Sequence, residues 1–429
     1  MAIASGSSSG IATAGGDTVQ ELTVEELRAK VGTGMEITNP EENMLLSMGP
    51  QHPSTHGVLR LLVELDGETV VNLAPDIGFL HTGVEKNMEA KTFTKAMVMT
   101  DRMDYLSPMS NNLAYIMAIE KLLGVTDEIT PRCQTIRVIL VELARVASHL
   151  VWLGTHALDL AAMSVFLYCF REREYILDLF EMVAGQRMMV SYFRPGGLWR
   201  DVPEEFVPAV RHFLDFFPSR LADYEALLDQ NPIWLRRTKG IGIISAEDAI
   251  AWGLTGGSLR GSGVNWDIRK AKPYLGYETY DFDVPLGEDG DVYSRYRCRM
   301  LEFRQSLRII EQALERLKPG PVNISNRKIV APPRSELGQS MEAVIHHFKL
   351  WTEGFSAPTG YVYQSIESPR GELGCYLRGD GGPKPARVHF RGPSFVNLAS
   401  LPQMAKGLYV ADLVSIIGSI DIVLGEIDR

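Results

Sequence analysis

Cysteine is scarce in this 429-residue chain, and the few cysteines that occur are far apart. They are Cys133, Cys169, Cys298 and Cys375, and no two of them form a C-x-x-C pair. This spacing argues against a disulfide framework and against a metal or iron–sulfur site made by this chain alone. We therefore expect buried free thiols in a reducing compartment.

An excess of positive charge is also missing. Lysine and arginine number 43 against 53 acidic residues, which gives a formal net charge of -10. Without a basic footprint, nucleic acid is not expected to be the main partner. The 45% of hydrophobic and 22% of charged residues are typical of a globular protein with enough material for a core.

Signals for secretion, membrane insertion and nucleotide binding are absent too. The first 16 residues lack the basic and apolar regions of a signal peptide. The most apolar stretch, 150–170, contains His156 and Asp159. A charge at mid-bilayer costs about 2.5–3.5 kcal/mol, so this stretch predicts a buried helix, and membrane contact is expected through partners. No G-x-G-x-x-G or P-loop pattern occurs in the required context, so this chain is not expected to bind NADH or ATP itself.

Hydrophobic periodicity predicts an α+β fold that is predominantly α, with a central bundle of long helices and small antiparallel sheets near both ends. A hairpin is predicted around Asp66-Gly67. The predicted main helices are Glu85–Ala96, 110–123, 131–156, 162–183, 202–230 and 293–317, with a last one over 408–424.

The predicted organisation is a flexible extension with a possible short helix over 1–40, followed by a single domain over 41–429. Its parts are a hairpin and histidine loop over 41–80, a bundle over 85–200, a helical region with a Gly-rich loop over 201–355, and a β region with a terminal helix over 356–429.

Two loop segments could carry chemistry. GPQHPSTHGVLR places His52 and His56 in a loop bracketed by prolines, and only histidine titrates near neutral pH without perturbation. The imidazoles could serve a site or only hydrogen-bond within the loop. DRMDYLSPMSNN presents Tyr105 near a helix start, where its hydroxyl could donate to a ligand. This second segment could equally be a capped helix entry with solvated charges.

A polar stripe follows the third predicted helix. At 100° per residue, Glu142, Arg145, His149, His156 and Asp159 fall on one face. The face could point to water, form a buried network, or lead as a polar line into a cavity. Buried ionisable groups of this kind are candidates for a proton path.

At GPQHPSTHGVLR the sequence resembles the 49-kDa, or D-type, subunit family of respiratory NADH:quinone oxidoreductase (complex I). The resemblance continues through DIGFLHTGVEKNME, DRMDYLSPMSNN, SGVNWDIRKAKPY, ESPRGELG and DIVLGEIDR and covers about residues 41–429. It implies the fold of the large subunit of nickel–iron hydrogenases. Those enzymes hold their metal with two C-x-x-C pairs, and this sequence has neither. The resemblance therefore implies that the metal is lost and that its cavity is reused for quinone.

The resemblance also implies roles for individual residues. The residues matching His56 and Tyr105 hydrogen-bond the quinone head group, with His52 in the same loop, and the residue matching Asp159 pairs with His56. Such donors can stabilise developing oxyanion charge and supply protons. The arginine matching Arg102 faces an iron–sulfur cluster of a neighbouring subunit.

Cofactors and partners follow from the same resemblance. A 4Fe-4S cluster, FMN and NADH are expected in other subunits, with quinone as the substrate. The expected partners are a small iron–sulfur subunit of the B type, a C-type subunit, and an H-type subunit from the membrane arm. The expected place is the cytoplasmic face of the bacterial inner membrane, in a hetero-oligomer that couples electron transfer to proton translocation.

Two positions depart from the family pattern. Thr82 stands where many members have arginine, and Met189 where many have histidine. The resemblance implies that both positions face the cluster. Less positive charge should disfavour the reduced cluster, which predicts a lower and less pH-dependent potential that would suit menaquinone.

Two other functions remain open from the sequence. One is a hydrogenase-like metal enzyme, and the other is a structural or quinone-site subunit of a ferredoxin-fed or hydrogenase-like membrane complex.

Overall fold

The computed structural model describes residues 35, 37–39 and 42–429. The predicted N-terminal extension with a short helix therefore lies almost wholly outside the described residues. The predicted α+β class with a dominant helical part is confirmed. That 41–429 forms a single domain with the four parts named above stays a prediction.

The helices occupy most of the chain between two terminal sheet regions. In chain order they are α1 (Val84–Glu89), α2 (Phe93–Thr100), α3 (Pro108–Leu123), α4 (Pro131–Asp159), α5 (Met163–Ala184), α6 (Phe206–Leu228), α7 (Pro232–Thr238), α8 (Ala246–Ala251), α9 (Gly257–Arg260), α10 (Ile268–Ala271), α11 (Val292–Arg316), α12 (Arg334–Leu337), α13 (Met341–Thr352), α14 (Pro393–Ala399), α15 (Leu401–Ala405), α16 (Val410–Ile420) and α17 (Leu424–Asp428).

The long helix α4 is the centre of the molecule. It begins where the Thr130 hydroxyl accepts the backbone N–H of Cys133 at 3.3 Å, with Pro131 in the first turn. It packs against α3, α5, α11 and α16. The predicted central helix bundle is thus confirmed, and all four cysteines are buried.

Two predicted helices are interrupted in the structure. The predicted helix Glu85–Ala96 is two helices, because Thr92 takes an extended conformation and its hydroxyl caps α2 at the N–H of Lys95, at 3.4 Å. The predicted helix over 408–424 ends at Ile420, because Asp421 takes a left-handed conformation with φ 52°. The chain then starts the separate helix α17.

Each end of the chain contributes a three-stranded antiparallel sheet. The first contains β1 (Met44–Met48), β2 (Arg60–Asp66) and β3 (Thr69–Asp76), and a two-stranded ribbon, β4 (Phe193–Arg194) and β5 (Gly197–Leu198), follows the bundle. The second contains β6 (Gly360–Ser368), β7 (Gly371–Gly379) and β8 (Arg387–Arg391). The predicted hairpin is confirmed with a turn at Gly67 and Glu68, since Asp66 pairs with Thr69. The prediction missed β1, which extends the hairpin by pairing with β2.

The hydrophobic core has two main parts. The larger is formed by the helix bundle, and the other joins the first sheet to the C-terminal helices. Helix α16 packs against α4, α11 and the short turn at Pro53–Thr55, so both ends of the chain reach the bundle. In the described part of the chain, no helix is long and apolar enough to cross a membrane.

Candidate functional site

The predicted histidine loop joins β1 to β2. His52 is extended, and its Nδ1 accepts the backbone N–H of Ser54 at 3.2 Å, while His56 ends the following turn with φ 54°. The loop closes tightly, because a Cβ on Gly49 would lie 2.2 Å from the carbonyl oxygen of Leu59. A left-handed histidine is uncommon, and such conformations cluster at functional sites.

The side chain of His56 is exposed in the isolated chain, although many protein atoms surround it. Burial is the main cause that lowers the pKa of His56 to about 4, and the positive charge of Arg370 is the second cause. A ring that is both enclosed by protein and reached by water is available to a ligand as a neutral imidazole.

Tyr105 lies in the turn between α2 and α3 and is half-buried. Helix α17 presses against this turn, because a Cβ on Gly425 would lie 2.4 Å from the carbonyl oxygen of Met103 and 3.2 Å from Cδ1 of Tyr105. Burial raises the pKa of Tyr105 against the opposing charge of Arg370. The proton therefore stays on its hydroxyl, which is a donor at neutral pH.

Arg370 connects these two segments and was missed by the sequence reasoning. It sits in the tight turn between β6 and β7, where a Cβ on Gly371 would lie 2.4 Å from Oγ1 of Thr255. Its buried guanidinium donates to the carboxylate of Asp104 at 2.6 Å and to the hydroxyl of Ser148 on α4 at 2.8 Å. Because its charge acts on His56 and on Tyr105, those two residues face a common cation.

Asp159 lies at the end of α4 and is half-buried. Burial raises its pKa, and the charge of His52 opposes that shift. The structure thus gives Asp159 an electrostatic interaction with His52. Among the residues that the structure describes, no hydrogen bond or ion pair joins Asp159 to His56, which differs from the pairing that the resemblance implied.

Most of the polar stripe of α4 is buried, so its exposure to water is wrong for Glu142, Arg145, His149 and His156. The first three enter one hydrogen-bonded network with charged residues from other elements. We call it the Glu302 network, and its members are Glu142, Arg145, His149, Arg260, Asp267, Arg269, Glu302 and Glu367.

The Glu302 network holds the turn that carries Arg370. Arg145 donates to the backbone carbonyls of Glu367 at 2.6 Å and Ser368 at 3.0 Å, three and two residues before Arg370. His156 does not join this network. Its ring nitrogens have no hydrogen-bond partner in the described structure, its ring stacks on Trp152, and burial lowers its pKa to about 3.

The residues expected to face an iron–sulfur cluster lie on exposed loops. Arg102 and Thr82 are exposed, and Met189 is partly exposed with φ 54°. The turn of Arg102 is tied to the loop of Met189, because the Ser191 hydroxyl donates to Asp101. Within the described ranges, no hydrogen bond ties Thr82 to either of the other two residues; its carbonyl accepts the side-chain amide of Asn87 at 3.1 Å.

A surface groove of about 1140 Å³ lies elsewhere, between Trp199, Trp351 and the segment around 321–334. It is large enough for a small molecule, but its lining lacks a buried group of opposed charges like the one around Arg370. Within the described residues, no cluster of His, Cys, Asp or Glu has a geometry that could hold a metal ion.

Comparison with known proteins identifies the family. Residues 159–429 match the family model of the respiratory-chain NADH dehydrogenase 49 Kd subunit. A D-type subunit of NADH-quinone oxidoreductase from Chloroflexus aurantiacus is 65% identical over 391 residues, which are 90% of this chain and 95% of the relative. The corresponding protein of a Roseiflexus species is 62% identical over 95% of this chain and 100% of the relative. That of Geotalea uraniireducens is 58% identical over 90% of this chain and 99% of the relative. The chain therefore belongs to the 49-kDa, or D-type, subunit family of NADH-quinone oxidoreductase.

Proposed function

We propose that this chain forms the pocket in which NADH-quinone oxidoreductase reduces quinone. The observation that carries the proposal is the convergence of the His56 loop and the Tyr105 turn on Arg370. These segments come from separate parts of the chain, and each presents a polar side chain that is exposed or half-buried. A quinone head group has two carbonyl oxygens, which need hydrogen-bond donors on opposite sides.

The residues fit the charge changes of quinone reduction. Tyr105 retains its proton at neutral pH and can donate it to one quinone oxygen. His56 is a neutral imidazole whose N–H can hydrogen-bond the other oxygen. Arg370 adds a fixed positive charge where negative charge develops, and its own ion pairs hold it in place.

The remaining parts of the reaction belong to other subunits in this proposal. A 4Fe-4S cluster in a small B-type subunit would supply the electrons, which come from NADH through FMN and further clusters. Arg102, Thr82 and Met189 would face that cluster. C-type and H-type subunits would complete the pocket at the cytoplasmic face of the bacterial inner membrane, in a proton-translocating complex.

Coupling to proton translocation would begin with charged residues behind the pocket. Asp159 and His52 interact electrostatically at its edge and could register a change of charge on the histidine loop. In the Glu302 network, Glu142, Arg145 and His149 remain candidates for a proton path. His156 is a candidate only if the protein moves, because its ring has no hydrogen-bonded neighbour in the described structure.

Tyr105→Phe in the assembled complex tests the proposal. Loss of the hydroxyl removes a proton donor, and we expect NADH:quinone turnover to fall about 100-fold. NADH oxidation by a water-soluble acceptor that bypasses quinone should stay unchanged, which shows that the complex is assembled. Tyr361→Phe is the matched control, because Tyr361 is 74% exposed and lies at the opposite end of β6 from the Arg370 turn. Unchanged quinone turnover in Tyr105→Phe would contradict the proposal.

A further inference from the structure

A second group of charges lies directly behind the candidate quinone site. We call it the acid cluster: the carboxylates of Asp104, Asp421 and Glu426 with the guanidinium groups of Arg299 and Arg370. All five side chains are buried. They come from the Tyr105 turn, from α11, from the β6–β7 turn and from the C-terminal segment, so only the folded chain brings them together.

The three carboxylates are not equivalent. Asp104 accepts from Arg370 at 2.6 Å, and Asp421 forms an ion pair with the same arginine at 3.3 Å. Arg299 approaches Asp421 at 4.0 Å. Glu426 has no ion pair with an arginine side chain in the described structure. Its donors are the backbone N–H of Ser394, at 3.1 Å, and the Ser394 hydroxyl.

The acid cluster is incompletely hydrogen-bonded. Oδ2 of Asp421 and Oε1 of Glu426 are buried without a hydrogen-bond partner, as are Nε of Arg370 and two nitrogens of Arg299. A buried ionised carboxylate with an unpartnered oxygen is costly, whereas a protonated carboxyl carries no charge. Three carboxylates facing two guanidinium groups therefore favour one neutral carboxyl, and Glu426 is the one without an arginine.

The position of Glu426 connects it to Tyr105. Gly425, its neighbour in α17, contacts the ring of Tyr105, and Asp104, which precedes Tyr105, is the charged residue that acts most strongly on Glu426. Arg370 and Ser394 also act on Glu426, and Glu302 acts on both Asp421 and Arg299. Cys298 and Arg295 act on Arg299, and the side chain of Arg429 donates to the carbonyl of Glu426.

We propose that Glu426 holds a proton at neutral pH and passes it toward Tyr105 when quinone is reduced. This inference rests on the proposed function. Tyr105 gives its hydroxyl proton to one quinone oxygen and solvent supplies the proton on the other oxygen, while the two electrons arrive one at a time from the iron–sulfur cluster of the neighbouring subunit, so that hydroquinone is the product. The O–H bond of the Glu426 carboxyl then breaks, its proton restores the Tyr105 hydroxyl by way of Asp104, and the Glu426 carboxylate later regains a proton from solvent.

The electrostatics of the acid cluster agree with this geometry. Burial, and next the negative charge of Asp104, raise the pKa of Glu426 to about 7. Burial also raises the pKa of Asp421 to about 6, although Arg370 and Arg299 oppose the shift. A donor with a pKa near the working pH can both give a proton and regain it.

Infrared spectroscopy of the intact complex tests the proposal with Glu426→Gln. In the resting complex at pH 6, we expect the wild type to show a carbonyl band of a protonated carboxyl that titrates near pH 7 and is absent in the variant. In time-resolved spectra recorded as quinone is reduced, that band should decrease transiently in the wild type and recover as the Glu426 carboxylate regains its proton. Quinone turnover of Glu426→Gln should fall at least about tenfold, with the KM for quinone nearly unchanged. Glu247→Gln, on an exposed residue, is the control and should change neither band nor turnover.

A resting spectrum that Glu426→Gln leaves unchanged would overturn the proposal. It would leave the assignment of Tyr105 standing, because that depends on Tyr105→Phe. A band that is lost in the variant but does not decrease when the wild type is reduced would overturn the proton transfer. If Glu426→Gln does not assemble, Glu426→Asp keeps a carboxyl, and the band should shift in frequency. An unshifted band in that variant would also contradict the proposal.

Discussion

The Glu302 network and the acid cluster are neighbouring buried groups of acids and arginines whose carboxylates are hydrogen-bonded to different degrees. The two oxygens of Glu302 accept from Arg145, Arg260, Arg269 and His149 at 3.1–3.4 Å. In the acid cluster, Asp421 and Glu426 each leave one oxygen without a partner. Similar residue types thus serve two purposes. In the Glu302 network every carboxylate oxygen has a partner, although Nε of Arg260 and Nδ1 of His149 have none, and this network holds the β6–β7 turn. The acid cluster behind Tyr105 leaves two carboxylate oxygens without a partner, and we propose that it changes its protonation.

Backbone conformation shows the same contrast. Half of the Glu302 network lies on the long regular helices α4 and α11, namely Glu142, Arg145, His149 and Glu302. His56 in the candidate site and Asp421 in the acid cluster have left-handed backbone conformations, with φ 54° and 52°. Each such residue costs about 1–2 kcal/mol. Strain of this kind is retained where surrounding structure enforces it, commonly at functional sites.

The largest expected effect comes from breaking the Glu302 network. Glu302→Gln removes the charge that offsets three buried arginines, so we expect the free energy of unfolding of the full chain to fall by about 3–5 kcal/mol in urea titrations at pH 7. The pKa of Glu302 lies well below its usual value because arginines and His149 surround it. The stability from Glu302 is therefore present above about pH 4.5 and is lost as the pH falls through its lowered pKa. Glu311→Gln, on the exposed side of the same helix, is the control.

The same exchange at Glu426 should act in the opposite direction. Because its folded pKa is raised to about 7, its contribution to stability is full at acidic pH and is lost as the pH rises through that value. Glutamine imitates the protonated form. The variant should match the wild type near pH 5 and exceed its free energy of unfolding by about 2 kcal/mol at pH 8. Equal destabilisation by both exchanges would remove the distinction between the two regions.

A smaller effect, on a redox potential, is expected at the surface loops where Thr82 and Met189 depart from the family pattern. Introducing Thr82→Arg and Met189→His should raise the midpoint potential of the iron–sulfur cluster that we propose these residues face. The expected rise is up to about 60 mV, which corresponds to a tenfold change for a one-electron couple. The histidine should also steepen its dependence on pH, as followed in redox titrations of the complex. A wild-type cluster that already has a high potential with a steep pH slope would contradict this expectation.

The sequence predicted much of the fold because periodicity and capping are local. Pro131 and the polar stripe placed α4, and Asp66-Gly67 placed the first hairpin. The breaks at Thr92 and Asp421 were missed, because each depends on one residue leaving the helical conformation. The third strand β1 was missed because its partner β2 decides its pairing.

The candidate site was predictable only in part. The motifs that contain His56 and Tyr105 pointed to two loops, and the structure places both near Arg370. Arg370 itself could not be inferred from periodicity, since its hydrogen bond to Asp104 spans 266 positions of sequence. Charged residues within the apolar segment 420–427 were the available signal for Asp421 and Glu426. Their pairing is a property of the tertiary fold.

The most direct test of the quinone site is photolabelling of the intact complex with a quinone that carries a photoreactive head group. We expect labelled peptides that contain His56 or Tyr105, and the label should decrease when unlabelled quinone competes. Tyr361→Phe should label like the wild type. Competed label confined to the separate groove of Trp199 and Trp351, with none on the His56 loop or the Tyr105 turn, would contradict the proposed quinone site.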